Sequence, residues 1–214
     1  YPSFTKKLFI MKKIFFILAP LALVFSFAFV TSETLPIGAR LPMADYQMAN
    51  VKTGYFTSVK QEARENGVLV MFSSNNCLAV EKIKSRTLDA AEFAQKNNIG
   101  VVFVNSNEAQ RNGTESYDAM KAYFNANKYD WSYVLDAKNA LANAFGANFT
   151  PEIFLFDKNM TLVYHGAIDN NLNESGAVTH KHLLGALSAV SANKPVSVTE
   201  SPVTGCAINR LMSN

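Results

Sequence analysis

The sequence predicts an α/β domain built on a central mixed β-sheet with helices on both faces. Two short, unbroken apolar runs, residues 68–72 and 101–104, have the length and composition of strands that are buried on both faces. A segment with helical apolar spacing follows the first run, and right-handed crossovers make such strand–helix–strand units parallel. Two further apolar runs, residues 152–157 and 161–166, flank a tight turn and predict an antiparallel hairpin.

The first half of the predicted domain alternates between helices and strands. A linker with Pro and Gly over residues 33–42 leads to a short helix over 57–65, with Thr57 or Ser58 as its N-cap. The strand 68–72 follows, and a longer helix then begins at Cys77. The apolar stripe of that helix comprises Val80, Ile83, Thr87, Ala91 and Ala94.

The second half contains shorter elements and ends in an irregular tail. After the second strand and a polar loop, the pattern predicts a helix over residues 114–127, an extended segment over 131–135 and a brief helix over 139–145. The hairpin comes next, and Thr179 is the predicted cap of a last helix. The apolar stripe of this last helix comprises Leu183, Ala186, Leu187 and Val190.

The chain divides into three predicted parts, of which the first is a targeting segment. Residues 1–32 form an N-terminal extension in which two lysines precede the uncharged stretch 14–30, and small residues favour cleavage after Ser32. The rival interpretation is an uncleaved membrane anchor, since the apolar stretch is at the short edge of a span. Either way the body is expected to be exported to a periplasmic or extracellular compartment. Residues 33–192 form the domain, and residues 193–214 are a C-terminal tail that carries Cys206.

The charge of the predicted body is close to neutral. The formal net charge of the chain is +3, but Lys6, Lys7, Lys12 and Lys13 all lie in the extension, which leaves about −1 for the rest. A near-neutral domain has no basic footprint for nucleic acid, so no nucleic-acid partner is predicted. Membrane contact is expected only if the leader stays uncleaved.

Cys77 stands where a buried strand gives way to a helix, after the polar turn 73–76. Unpaired backbone N–H groups and the helix dipole favour negative charge at a helix start, so a cysteine there is expected to have a thiol pKa below the ordinary value of about 8.5. Cys77 is therefore a candidate nucleophile exposed to solvent. The alternatives are half of a structural disulfide or a buried thiol.

The second cysteine, Cys206, lies in the tail. Two cysteines in an exported protein invite a disulfide, and a loop of this length is worth about 4–5 kcal/mol in the chain-entropy estimate. The pair is neither a disulfide framework nor a zinc site. A resolving cysteine and a structural bridge are both open interpretations of Cys206.

The order of elements, the position of Cys77 and the Thr150–Pro151 pair before a strand together describe the thioredoxin fold. The body also resembles a redoxin, peroxiredoxin-like (alkyl hydroperoxide reductase–thiol-specific antioxidant) family of the thioredoxin superfamily. The matching segments, in chain order, are residues 74–81, 105–107, 150–157, 162–169 and 205–210. Within that family the first segment has two cysteines, and this chain has a degenerate Cys-x-x-Cys motif with Ser74 in place of the first and Leu78 in place of the following proline.

The resemblance implies thiol chemistry at Cys77. Ser74-x-x-Cys77 is similar to the Thr/Ser-x-x-Cys of peroxiredoxins, in which the hydroxyl positions a peroxide and the cysteine becomes a sulfenic acid. In that scheme Cys206 resolves the sulfenate, and a separate thiol protein supplies electrons. The other implied reaction is thiol–disulfide exchange with a protein substrate. Ser74 is equally well explained as a helix cap.

The predicted substrate surface lies beside Cys77. Pro151, expected to be cis after Thr150, shapes the facing wall, the Thr150 backbone is free to pair with an extended peptide, and Asn76 lies in the turn before Cys77. No cofactor is predicted, because no phosphate loop or dinucleotide fingerprint is present. No metal is assigned either, since His180 and His182 are expected to face different sides of the last helix and His165 is expected at the surface.

A hypothesis of a different class explains the same sequence. The domain can be a catalytically degenerate binding or structural module that kept the fold after losing the first motif cysteine. On this hypothesis the Cys77–Cys206 bond is a structural disulfide. The exposure of Cys77 and its distance from Cys206 separate the two hypotheses.

Overall fold

The computed structural model describes residues 33–211. The predicted leader, its cleavage site and the rival membrane anchor lie outside the described residues. Within residues 33–211, no helix combines the length and the apolar character that crossing a bilayer requires.

The described part of the chain forms nine strands and six α-helices. The strands are β1 (Met48–Asn50), β2 (Phe56–Thr57), β3 (Gly67–Phe72), β4 (Gly100–Asn105), β5 (Ser132–Leu135), β6 (Phe149–Thr150), β7 (Glu152–Asp157), β8 (Leu162–Gly166) and β9 (Cys206–Ala207). The helices are α1 (Val59–Glu62), α2 (Leu78–Lys82), α3 (Lys84–Lys96), α4 (Tyr117–Asn127), α5 (Ala140–Phe145) and α6 (His182–Ser191).

Seven of the strands form one mixed sheet in the order β2-β1-β5-β4-β3-β7-β8. The strands β3, β4 and β5 are parallel, whereas β7 runs antiparallel to β3 and β8 antiparallel to β7. The predicted mixed α/β sheet and the closing hairpin are therefore confirmed. The carboxyl end of the central strand β3 lies at one end of the strands of the sheet, and Cys77 follows it along the chain.

The sheet is covered on both faces, which explains the unbroken apolar run of β3. Leu69 and Met71 face the cluster that contains residues of α3, α4 and α6, while Val68, Val70 and Phe72 face the cluster that contains residues of α5. All five side chains are at most 2% exposed. Full burial of such a side chain is worth about 1.5–3 kcal/mol, so both faces anchor the strand that precedes the cysteine.

Two predicted helices differ in detail from the structure, and a third has the predicted cap. The helix predicted from Cys77 is two helices, because Ile83 leaves the helical conformation between α2 and α3, although the predicted stripe is buried. Ser58 caps α1 in a capping box with Gln61, as the sequence allowed. Thr179 does not cap the last helix: Lys181 is the N-cap, and the Thr179 hydroxyl bonds with Asn170 instead.

Two short pairings were not predicted. The hairpin β1–β2 extends the sheet beyond β5, in a region between the predicted linker and the first predicted helix. The tail, predicted to be irregular, contains β9, which pairs with β6 in a second, two-stranded sheet. Strands of two or three residues are too short to show an alternating pattern, so partners far along the chain decide their formation.

Candidate functional site

Cys77 is the N-cap residue of α2 and follows a turn that leaves the central strand. Its backbone is extended, and its side chain makes no capping hydrogen bond to the helix. The predicted position of the cysteine at a strand-to-helix junction is therefore what the structure shows. The state of the sulfur is different from the free, exposed thiolate that the sequence suggested.

The sulfur atoms of Cys77 and Cys206 form a disulfide that closes a separation of 129 residues along the chain. Cys77 is only 2% exposed, and Cys206 is half-buried. Ala79 and Val80 of α2 pack around the pair, and Leu172 covers it from the loop after β8. The prediction of an open Cys77 is wrong for this oxidised form, because the tail and Leu172 occupy the space over the sulfur.

The tail reaches Cys77 by adding a strand beside the cis-proline segment. In the β6–β9 pair, Cys206 lies opposite Thr150 and Ala207 lies opposite Phe149. The backbone N–H of Ile208 continues the pairing with a hydrogen bond of 2.9 Å to the Asn148 carbonyl. Just before β9, a Cβ on Gly205 would lie 2.3 Å from the Thr150 carbonyl oxygen, so only glycine fits there. The backbone that was predicted to bind a substrate peptide is thus occupied by the chain's own tail.

Thr150 and Pro151 form the wall opposite Cys77, and their peptide bond is cis, as predicted. The Thr150 carbonyl oxygen lies 3.1 Å from the Cys77 sulfur. A disulfide sulfur has no hydrogen to donate, so in this form the approach is a close contact and not a hydrogen bond. After reduction, the thiol of Cys77 has this carbonyl as a ready acceptor.

Ser74 and Asn76 are held by a buried carboxylate that the sequence did not single out. The Ser74 hydroxyl donates to Glu115 Oε1 at 2.5 Å, and the Asn75 and Asn76 N–H groups donate to the two Glu115 oxygens at 3.1 and 3.2 Å. Ser74 is 5% exposed and Glu115 is completely buried. The structure therefore places Ser74 neither as the cap of α2 nor open toward a substrate in this form.

The Glu115 carboxylate also connects to the rest of the sheet edge. Asn105, the last residue of β4, donates to Glu115 Oε2 at 2.5 Å and to the Tyr133 hydroxyl at 2.9 Å. The Tyr133 hydroxyl in turn donates to the Asn75 side chain at 2.9 Å. Burial, and then the nearby Glu115 charge, raise the pKa of Tyr133 well above its ordinary value. The phenol therefore stays protonated and serves as a donor across the physiological range.

A second buried carboxylate fixes the strand that receives the tail. Glu152 is 2% exposed and accepts the N–H groups of Asn148 and Phe149 at 2.7 and 2.8 Å, while its other oxygen lies 2.8 Å from His165 Nε2. The His165 ring also packs against Phe154 in a tilted arrangement, with a centroid distance of 4.6 Å. The expectation of a surface His165 is therefore wrong, because Glu152 and the tail cover it.

The loop that carries Leu172 is fastened to the helices by two cations. Arg86 donates to Asp169 at 2.5 Å and to the carbonyl oxygens of Asn171 and Leu172. Lys82 donates to the Asn173 side chain at 2.8 Å. A cavity of about 210 Å³ is lined by Pro151, by Leu172 of the loop and by Pro202 and Thr204 of the tail. The loop, the tail and the cis-proline therefore meet at this cavity.

Histidines and arginines do not complete a metal or peroxide site in the described range. Residues 33–211 contain no group of three or more His, Cys, Asp or Glu side chains placed to hold a metal ion. The His180 and His182 rings stack with their centroids 6.1 Å apart. The expectation that these two side chains face different sides of the last helix is therefore wrong. Arg86, Arg111 and Arg210 donate hydrogen bonds to Asp169, to the Glu115 carbonyl oxygen and to the Ala147 carbonyl oxygen, respectively.

Sequence reasoning missed three residues that shape this site, namely Glu115, Glu152 and Leu172. Glu115 lies at the predicted start of a helix, where an acidic residue is ordinary, and Glu152 begins an apolar strand. A charged residue directly before the apolar run 153–156 was the one usable signal, since burial of Glu152 requires partners. Nothing in the polar loop distinguishes Leu172.

A mixed sheet with a cysteine at the end of its central strand and a cis-proline opposite defines a thioredoxin-like protein. Residues 56–174, more than half of the chain, match the family of thioredoxin-like domains. The chain therefore belongs to the thioredoxin-like family, and the membership of the thioredoxin superfamily that its motifs indicated is confirmed. A comparison with curated proteins gave no match.

Solved structures support this assignment. The chain is 31% identical to a hypothetical protein from Sinorhizobium meliloti 1021, with 85% of this chain and 98% of that chain covered and a TM-score of 0.74. It is 26% identical to an uncharacterized conserved protein from Geobacillus kaustophilus, with 85% and 96% covered and a TM-score of 0.78. Peroxidoxin BcpB from Mycobacterium tuberculosis, 12% identical over 74% and 95% of the two chains with a TM-score of 0.51, shares the fold.

Proposed function

We propose that the protein carries out thiol–disulfide exchange through reversible opening of the Cys77–Cys206 bond. The observation that carries the proposal is the register of the β6–β9 pair, in which Cys206 lies opposite Thr150 while Cys77 contacts the same residue. The tail thus presents a cysteine on an added strand, as an extended protein substrate would present one. A strand of two residues is a weak attachment, which suits a segment that must leave and return.

The proposed exchange balances as a two-electron transfer. A thiolate of a partner dithiol protein attacks the half-buried sulfur of Cys206, the Cys77–Cys206 bond breaks, and Cys77 leaves as a thiolate and takes up a proton. The second partner thiol then attacks the mixed disulfide and releases Cys206 as a thiol. The partner is oxidised to a disulfide and this protein is reduced. In the other direction, Cys77 attacks a substrate disulfide and Cys206 resolves the mixed disulfide.

Peroxide reduction has less support than exchange. The hydroxyl of Ser74, which the redoxin resemblance would aim at a peroxide, donates to Glu115. Arg86, Arg111 and Arg210, which could steady a thiolate, donate instead to Asp169 and to the carbonyl oxygens of Glu115 and Ala147. Peroxide chemistry would need a reduced form in which Ser74 turns away from that carboxylate.

A structural bridge is the second candidate function of the disulfide, and the 2% exposure of Cys77 favours it. In that case the domain is a degenerate binding or structural module. A structural disulfide has a reduction potential below about −300 mV, whereas exchanging disulfides lie above it. The two candidates therefore differ in a quantity that is directly measurable.

The proposed setting is an exported one. The predicted leader, which begins with lysines and continues with an uncharged apolar stretch, and the Cys77–Cys206 disulfide both fit a periplasmic or extracellular compartment. Electrons would come from another thiol protein, and the substrate would be a protein thiol or disulfide.

A trapping experiment with the full chain tests the proposal. The Cys206→Ser variant keeps Cys77 but cannot resolve a mixed disulfide, so it should accumulate a covalent adduct with an oxidised probe such as insulin. The Cys77→Ser variant is the matched control and should form far less adduct, because it lacks the thiol to which the proposal assigns the attack on the substrate disulfide. Non-reducing electrophoresis reports the adduct. Equal adduct in both variants, or none in either, contradicts exchange through Cys77.

A further inference from the structure

We infer that Glu115 is a positioning residue that raises the thiol pKa of reduced Cys77 and so makes the Cys77–Cys206 pair a donor of electrons to protein disulfides. The inference deepens the proposed function, because it assigns a direction to the exchange. It is carried by one completely buried carboxylate that accepts four hydrogen bonds, three of them from the turn that precedes Cys77.

The turn before Cys77 is a small anion-binding site that is already filled. Two consecutive backbone N–H groups, those of Asn75 and Asn76, and the Ser74 hydroxyl point at the Glu115 oxygens. Consecutive N–H groups of this kind would otherwise favour a nearby anion such as a thiolate. Because Glu115 uses them, the turn does not stabilise the Cys77 thiolate as the strand-to-helix junction alone would suggest.

The carboxylate also adds a negative charge close to the sulfur. Glu115 Oε1 is 3.2 Å from the N atom of Asn76, which directly precedes Cys77, so the charge lies within about 10 Å of the Cys77 sulfur. Both groups are buried, and burial weakens screening by water and salt. Two negative charges at this range disfavour each other, which raises the thiol pKa of Cys77.

The other charged groups around Cys77 have partners of their own. On α2, Glu81 accepts from Tyr123 and lies near Lys84, and Lys82 bonds with Asn173. Three ion pairs lie on the neighbouring elements, namely Arg86–Asp169, Arg111–Glu108 and His165–Glu152, and Arg210 of the tail donates to the Asn143 side chain and the Ala147 carbonyl oxygen. The Glu115 carboxylate is held by neutral donors, and the nearby Arg111 side chain reaches only its backbone carbonyl oxygen.

A high thiol pKa favours the disulfide over the reduced pair. The reduced form of a pair gains stability when its thiolate is stabilised, which makes the disulfide a strong oxidant. Glu115 acts in the opposite sense, so the reduced pair transfers electrons readily: the Cys77 thiolate attacks a substrate disulfide, and Cys206 displaces the substrate thiol. The substrate gains two electrons, and a separate dithiol protein restores the pair.

The test uses a single-thiol form of the full chain. In the Cys206→Ser background, thiolate absorbance against pH reports the Cys77 pKa alone. Adding Glu115→Gln should lower that pKa by about 1, which raises the thiolate fraction near neutral pH about tenfold. The matched control is Glu92→Gln, which removes an exposed charge of α3 and should leave the pKa unchanged. Equal pKa values in the two variants overturn the inference.

A second measurement covers the case in which Glu115→Gln does not fold. With carbon-13 in the glutamate side chains of the reduced parent, the carboxyl resonance of Glu115 should move through the pH range in which Cys77 ionises, and it should not do so in Cys77→Ser. Identical curves overturn the inference. A Cys77-dependent shift of the Glu115 resonance without any exchange with insulin would contradict the proposed function and the electron donation that rests on it, while the effect of Glu115 on the Cys77 pKa would stand, so the two failures are distinguishable.

Discussion

Thr150 and Cys206 lie opposite each other in the antiparallel β6–β9 pair, and the carbonyl oxygen of the same Thr150 lies 3.1 Å from the sulfur of Cys77. One residue of the cis-proline segment therefore contacts both halves of the disulfide. This relationship couples the docking of the tail to the state of the bond, because the pairing brings Cys206 to Cys77. Substitutions that disturb the tail should change disulfide formation without touching a cysteine.

Gly205→Ala is the most direct test of this coupling. A Cβ at Gly205 would lie 2.3 Å from the Thr150 carbonyl oxygen and 3.2 Å from Pro151 Cδ, so the tail must move away from β6. Overpacking of this kind costs about 1–3 kcal/mol, and we expect the equilibrium constant for forming the Cys77–Cys206 bond to fall about tenfold. Thiol alkylation in glutathione buffers measures the constant.

The control for that substitution is Gly176→Ala, since a Cβ at Gly176 meets nothing within 4 Å. It should leave the equilibrium constant unchanged. If Gly205→Ala behaves like Gly176→Ala, the tail does not depend on close packing against Thr150.

Leu172→Ala should open the disulfide to small thiols. Leu172 packs against the cluster of Cys77, Ala79 and Val80, and it belongs to the loop that Arg86 holds. Loss of this half-buried side chain lowers the free energy of local opening by about 1 kcal/mol, so reduction by dithiothreitol should be about fivefold faster. Leu184→Ala removes a half-buried leucine of α6 that is not in this cluster and should not change the rate. Equal rates in both variants would show that Leu172 does not limit access.

Tyr164 should make stability fall at high pH. Its hydroxyl is 2.7 Å from Ser201 Oγ in the tail, and burial raises the pKa of Tyr164 to about 12. A pKa raised above the unfolded value gives stability that is present below about pH 10 and is lost as the pH rises toward 12, by about 2–3 kcal/mol in all.

Urea unfolding between pH 8 and 12 checks this prediction. Tyr164→Phe should show a shallower loss of stability over the upper part of the range, since it has no phenol to ionise there. Some slope should remain because burial raises the pKa of Tyr133 as well. A slope in Tyr164→Phe as steep as that of the parent would contradict the assignment.

Ser74→Ala separates the structural role of this hydroxyl from the peroxide role that the redoxin resemblance implies. The side chain donates to the charged Glu115 at 2.5 Å, and loss of such a bond costs about 1.5–3 kcal/mol. We expect lower stability in urea and unchanged adduct formation with insulin in the Cys206→Ser background. The exposed Ser197→Ala is the control. A parent that consumes hydroperoxide, with the rate abolished by Ser74→Ala, would favour the peroxidase interpretation instead.

The sequence was informative where patterns are long and the chemistry is local. The apolar run of β3, the stripes of α3 and α6 and the Thr150–Pro151 pair are properties of neighbouring residues, and they led to the fold, the position of Cys77 and the cis bond. The burial of Cys77 was not predictable in this way. It results from Leu172 and from a two-residue strand more than a hundred residues downstream, whose pairing depends on the close approach of Gly205.

Glu115 shows the same limit for a polar residue. Its position before α4 is that of an ordinary acidic residue at a helix start, yet its carboxylate accepts hydrogen bonds from the turn after β3. These hydroxyl and N–H donors precede Cys77 and were expected to act on its thiolate or its substrate. Only the assembled sheet brings the ends of β3 and β4 together, so the predicted role of Ser74 depended on a partner that the local sequence did not reveal.

Equilibration of the full chain in glutathione buffers, with the redox state of Cys77 and Cys206 read by alkylation and mass spectrometry, tests the central claim most directly. Reversible exchange predicts half-reduction at a potential above about −300 mV, while circular dichroism still reports a folded domain. A bond that stays closed across the whole range, or that opens only as the fold is lost, would contradict the account and identify the disulfide as a structural bridge.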